Sequence, residues 1–198
     1  MSIDHLVPNR PKQKRSIERF KKILNTVEEM LIKDGLHAVT IQEVARKAKM
    51  KRPSLYKLFP SAASIFYALS ERHTEKFNSL YINNTESASL LTATWYFNVF
   101  IDLISIYLNQ NKASAILFFY LGSLPVSKST DQQNKRFLGS VILQTLSSKK
   151  IDIAAEKVYI ASQLCLATLS VGFGEENHIS PRYVAEAKKA VLAYLTSA

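Results

Sequence analysis

Apolar side chains recur at steps of three and four residues along most of this chain, the period of a helix with one buried face. From Ser16 onward, Ile17, Phe20, Leu24, Val27 and Leu31 form one stripe, and Ile23 and Met30 widen it. Ser16 is placed to cap this helix, and Gly35 to end it in the left-handed conformation. The tetrapeptide TIQE, Thr40 to Glu43, reads as a capping box, in which hydroxyl and carboxylate each satisfy a free N–H. It opens a short helix with Ile41, Val44, Ala45 and Ala48 on one face. A turn at Lys49-Met50 follows, then a third short helix over 52–58 with Pro53 in its first turn. Pro60-Ser61 stops that helix, and Ser61 can cap a fourth running to about Leu80. Further helices are expected near 86–110, 112–124, 133–148, 152–172 and 181–196, with breaks at 109–111, 124–125, 149–152 and 172–181. No stretch alternates in the manner of a strand, so the fold class is all-α.

Composition agrees: 47% of the 198 residues are apolar, enough for a core, and five Gly and six Pro are few. Charge changes the picture more. Residues 1–60 hold fourteen Lys/Arg against six Asp/Glu, a balance of +8; residues 61–198 hold twelve against ten, +2. A basic head on a nearly neutral body suits a polyanion: nucleic acid first, with an anionic membrane surface or a protein partner as the alternative. Residues 1–15 read as a basic flexible arm.

Several classes find no support. The single cysteine, Cys165, excludes an internal disulfide and a cysteine-built zinc site. The four histidines, at 5, 37, 73 and 178, form no metal-spaced pair, so no metal and no cofactor is expected. A Ser-x-x-Lys pattern occurs at Ser54–Lys57 and again at Ser147–Lys150, but so short a pattern recurs by chance, and an enzyme is not expected. No apolar run precedes Arg15, which argues against a secretory signal and for a cytoplasmic protein. Residues 87–108 carry one charge, Asp102, and residues 158–174 carry none; both approach membrane-spanning length. Asn98, Asp102, Ser105 and scattered hydroxyls interrupt them, so buried helices of a soluble bundle are expected, with no membrane partner.

Two short helices joined by a tight turn beside a basic surface make a helix-turn-helix. Ala45 is small where the helices cross, Val44, Met50 and Leu55 fill the core between them, and Phe59 closes the unit. Lys51, Arg52, Ser54 and Lys57 then lie on the outer face, which can enter a DNA major groove. The plain alternative is a solvated basic face with no partner.

With Gly35, Thr40, Val44, Ala45, Met50, Leu55, Tyr56 and Phe59 at this spacing, residues 16–66 resemble the DNA-binding domain of the TetR family of bacterial transcriptional regulators. The resemblance implies that Thr40 and Tyr56 touch phosphates. It implies that Gln42, Arg52, Pro53, Ser54 and Lys57 face base edges or the adjoining backbone. The chain departs from the family pattern at four places: Lys49 stands where glycine is usual, Lys51 where a small capping residue is usual, Leu58 where His or Tyr often binds phosphate, and Ala62 where Lys is common. Lys49 and Lys51, with Lys12, Lys14 and Arg15 of the arm, are expected to make up for the lost contacts. The resemblance further implies a repressor that binds a pseudo-palindromic double-stranded DNA operator as a homodimer and is released by a small-molecule effector.

Residues 67–198 carry no motif. By the same resemblance they form the helical ligand-binding and dimerisation domain. Val158, Ala161, Cys165 and Thr168 on one helix and Val184, Val191 and Leu195 on another suit a four-helix interface between two copies, with packing inside one chain as the alternative. The aromatic cluster around Trp95 and Phe119 reads mainly as core, with lining for an effector pocket as the other use. Asn98, Asp102, Ser105 and Asn109 share one polar stripe, which faces water or, at Asn98 and Asp102, orients the effector.

Overall fold

The computed structural model describes residues 7–88, 91–120 and 128–197, and only the backbone of 128–137. The described residues form nine α-helices and no strand, as the helical periodicity requires. They are α1 (Lys14–Asp34), α2 (Ile41–Lys47), α3 (Arg52–Tyr56), α4 (Ala62–Thr85), α5 (Ala93–Gln110), α6 (Lys112–Tyr120), α7 (Lys128–Ser148), α8 (Ala155–Glu176) and α9 (Pro181–Thr196). The chain divides into two compact units. The first comprises residues up to His73 together with 112–132, and the second comprises 74–111 with 133–198. Helix α6 falls in the first unit.

In the first unit, α1 buries Ile23, Leu24, Val27, Met30 and Leu31, the stripe read from the sequence. They share a core with Val44, Leu55, Phe59, Ile65, Leu69 and, from α6, Ala113 and Leu117. α1 starts at Lys14, two residues before the expected cap, so Ser16 lies inside the first turn and its N–H bonds the Gln13 carbonyl at 2.9 Å. Gly35 ends the helix at φ 79°, ψ 176°, not in the left-handed helical region; only glycine is at ease there. Helix α4 is capped as expected: Ser61 Oγ accepts from Ser64 N–H at 3.1 Å, and Ser64 Oγ accepts from Ser61 N–H at 3.2 Å.

Three polar contacts pin α4 to α1. Arg72 donates to Asn25 Oδ1 at 2.7 Å and pairs with Glu28 at 2.7 Å, and His73 Nε2 meets the same carboxylate at 2.8 Å. Burial alone would raise the Glu28 carboxyl, but the His73 hydrogen bond and the Arg72 charge outweigh it and hold the group below its ordinary value.

The second unit is a helical bundle in which α9 packs along α8 and also against α5. Its aromatic core is edge-to-face: Phe77 and Tyr81 each meet Phe100, at centroid distances of 5.3 and 5.7 Å. The buried Tyr81 hydroxyl donates to the Tyr96 carbonyl at 3.1 Å. Helix α5 begins seven residues later than expected because Thr92 caps it, accepting from Trp95 N–H at 3.3 Å.

The expected break at Gly172 does not occur. α8 runs through that residue and ends at Asn177, which adopts the left-handed conformation. Gly172 serves contact instead: a Cβ there would lie 2.5 Å from the Tyr183 ring on α9. Of the residues expected at a dimer interface, Val158, Ala161, Cys165 and Val191 are fully buried within one chain, and Thr168, Val184 and Leu195 are half-buried. Helix α8 is long and apolar enough to cross a membrane, yet Ala161, Cys165, Leu169 and Phe173 bury one of its faces in this unit.

The polar stripe of α5 does not simply face water. Asn109 clamps the backbone of Ile179, donating to its carbonyl at 2.9 Å and accepting from its N–H at 2.8 Å. Asp102 is paired with Lys188 of α9 at 2.7 Å. Trp95, Asn98 and Asp102 belong to this unit and Phe119 to the other, so no single unit gathers all four.

Candidate nucleic-acid interface

The first unit builds a rigid platform under α3. Leu55 and Phe59 are fully buried, and the Phe59 ring stacks on Phe20 of α1 at 4.5 Å. Burying side chains of this size stabilises by roughly 1.5–3 kcal/mol each. Helix α2 starts on Thr40, whose Oγ1 accepts from Glu43 N–H at 3.2 Å. The capping box is only half made. The Glu43 carboxylate turns forward to Arg46, at 2.7 and 2.9 Å, and the Thr40 N–H bonds the Ala38 carbonyl. Thr40 is exposed, and its hydroxyl proton stays free to meet a phosphate.

Between α2 and α3 the chain forms a Schellman turn: Met50 N–H bonds the Ala45 carbonyl at 2.9 Å and Lys49 N–H the Arg46 carbonyl at 3.2 Å. Lys49 takes the left-handed residue of that turn, with φ 54°. A side chain in that region costs roughly 1–2 kcal/mol relative to glycine. The usual turn geometry is thus kept, with the strain accepted.

The basic residues of this segment fall into two sets. Arg46 pairs with Glu43, and Lys47 with Asp34. Hydrogen bonds from these cations hold both carboxyls below their ordinary values. Lys49, Lys51, Arg52 and Lys57 are exposed and form no close ion pair among the described residues, although the Arg52 charge also acts on Glu43. Gln42, Pro53 and Tyr56 are exposed as well, Tyr56 by 47%, while Ser54 is half-buried. The residues singled out from the sequence thus lie on α2, the turn and α3, with the charges outward and Leu55 inward.

The sequence reading missed Asn9. Pro8 is buried, Asn9 N–H bonds the Leu58 carbonyl at 2.8 Å, and Asn9 Nδ2 bonds the Lys57 carbonyl at 3.1 Å. These bonds satisfy carbonyls left open at the end of α3. Arg10 adds an ion pair to Glu71 of α4. From Pro8 onward the arm is tied down rather than flexible, although Lys12, Lys14 and Arg15 remain exposed. Only Asn beside Pro in a short polar segment hinted at a fixed turn.

A family model described as bacterial regulatory proteins, tetR family, matches residues 23–69, the segment that holds α2, the turn and α3. The helix-turn-helix segment of this chain is thus similar to that family. Solved structures share its fold over nearly the full length. A TetR-family transcriptional regulator from Streptomyces coelicolor aligns with TM-score 0.72 and 17% identity, covering 91% of this chain and 97% of that one. The fatty acid degradation regulator of Bacillus halodurans aligns with TM-score 0.69 and 10% identity, covering 95% and 98%. The multidrug-binding protein EbrR, complexed with imidazole, aligns with TM-score 0.66 and 11% identity, covering 93% and 96%. No curated protein matches the chain in sequence. The chain thus shares fold, and little sequence, with these solved structures.

Proposed function

We propose that this chain is a regulator of the tetR family, a cytoplasmic repressor that binds a pseudo-palindromic operator as a homodimer and releases it when a small molecule binds the second unit. The observation that carries the DNA reading is the division of charge. Arg46 and Lys47 are spent on neighbouring acids, whereas Lys49, Lys51, Arg52 and Lys57 stand outside any close ion pair on and beside α3. A five-residue recognition helix binds weakly alone, and a two-fold pair reads two half-sites. The surface for a second copy is the outer face of α8, with Leu164, Ala167 and Val171 at helical spacing and Val171 52% exposed, joined by Leu192 of α9. For the effector, a groove of about 500 Å³ runs beside α5 and α9, lined by Ile106, Ile179 and Val184 with the Asp102–Lys188 pair among them.

The test is binding of a labelled fragment from upstream of the chain's own gene against a scrambled duplex. Selective retention by a two-fold assembly is expected, with affinity falling steeply as salt rises. Arg52→Ala should cost about 1–3 kcal/mol of discrimination if its guanidinium reads a guanine. Equal retention of both duplexes, or none at about 50 mM salt, would overturn the reading.

A further inference from the structure

We propose that Arg19 and Lys22 of α1 join Lys49, Lys51 and Ser54 in a notch that holds one backbone phosphate of duplex DNA; the assignment rests on the DNA-binding reading above. The notch has a volume of about 340 Å³ and is lined by these five residues and Met50. Four of the six are cations and none is a carboxylate. Arg19 and Lys22 are three residues apart on α1, so one face of that helix presents both. None of the four cations is ion-paired among the described residues, in contrast to Arg46 and Lys47 a few residues away. Four like charges around one concavity repel one another until an anion enters.

The backbone points the same way. Lys49 occupies a left-handed position where glycine would sit without strain, and its side chain lines the notch. A lysine there makes the turn worse and the notch more cationic. The Ser54 hydroxyl can donate to a phosphate oxygen, and the Arg19 guanidinium has the fork that suits two of them.

The two effects of Lys49 have opposite signs, and that makes the test sharp. Wild type, Lys49→Gly, the double variant Arg19→Ala/Lys22→Ala and the control Lys33→Ala are titrated with a fluorescent duplex of random sequence at several salt concentrations. Lys33 lies on the same helix, about 16 Å from Lys22 and about 21 Å from Arg19 by the helical rise. In the double variant the slope of log affinity against log salt should become shallower by about 0.9, the share of one phosphate, and the control should match wild type. Lys49→Gly should bind more weakly while melting no lower than wild type. A merely structural lysine would not give that combination.

Wild-type slopes and affinities in both notch variants would overturn the proposal, with DNA binding itself intact. If wild type fails to hold the duplex even at about 50 mM salt, the DNA reading falls instead. The notch then stands only if inorganic pyrophosphate raises the melting temperature of wild type and not of the notch variants, which would point to a free phosphate compound. Absence of that protection overturns it.

Discussion

The α2–α3 turn and the α8–α9 contact each hold a residue that local backbone preference disfavours. At the turn, Lys49 stands in a left-handed position suited to glycine. In α8, Gly172 stands in a helix interior suited to alanine. The first choice gives up backbone ease and adds a charge to an outward surface. The second gives up helix propensity and lets Tyr183 lie against the helix backbone. In the unit that carries the nucleic-acid interface, local stability yields to surface chemistry. In the other unit it yields to close contact between two helices.

The largest blow to this contrast should come from Gly172→Leu. With Tyr183 already in the space, the side chain has nowhere to go without moving α9, and overpacking of this kind costs about 1–3 kcal/mol. Denaturant unfolding should show it, and a cost near zero would mean that α8 and α9 part easily.

Next in size is Glu28→Gln, which removes the shared partner of Arg72 and His73 and should cost about 2 kcal/mol. The same group sets a pH dependence. Its carboxyl is held down in the folded chain, so between the folded and unfolded values the unfolded state binds more protons. The Glu28 contribution is therefore complete above the unfolded value, near pH 4.3, and disappears as pH falls through the lower folded value. Wild type should lose its advantage over Glu28→Gln in acid, and a constant gap in melting temperature would contradict the assignment.

The smallest effect is a gain. Lys49→Gly should stabilise the chain by about 0.5–1 kcal/mol, the relief of strain less the entropy of an added glycine. A loss of stability would erase the contrast between the two regions.

The first unit was legible because its local signals agree with one another. Thr40 caps, Ala45 is small at the crossing, and Leu55 and Phe59 point inward, all within one short segment whose spacing alone fixes the geometry. What could not be read there depends on distant partners. Asn9 acts on carbonyls 48 and 49 residues away, and the place of Arg19 and Lys22 follows from how α1 lies beside the turn. In the second unit, periodicity identified the apolar faces of α8 and α9 but not what covers them. Val158, Ala161, Cys165 and Val191 meet their own chain, and the outward residues are Val171 and Leu192. Gly172 reads as a break in the sequence because glycine has two uses in helices, and only the neighbouring Tyr183 distinguishes them.

Cys165 gives the second unit a built-in clock. The chain has no other thiol, the side chain is fully buried, and burial pushes its pKa up to about 12. A maleimide or aromatic disulfide can react only while α8 is swung open, and then with a thiol of ordinary acidity. The rate of labelling in native buffer therefore reports how accessible this bundle makes its one thiol, with no engineered probe, and any small molecule that seats inside it will slow the reaction.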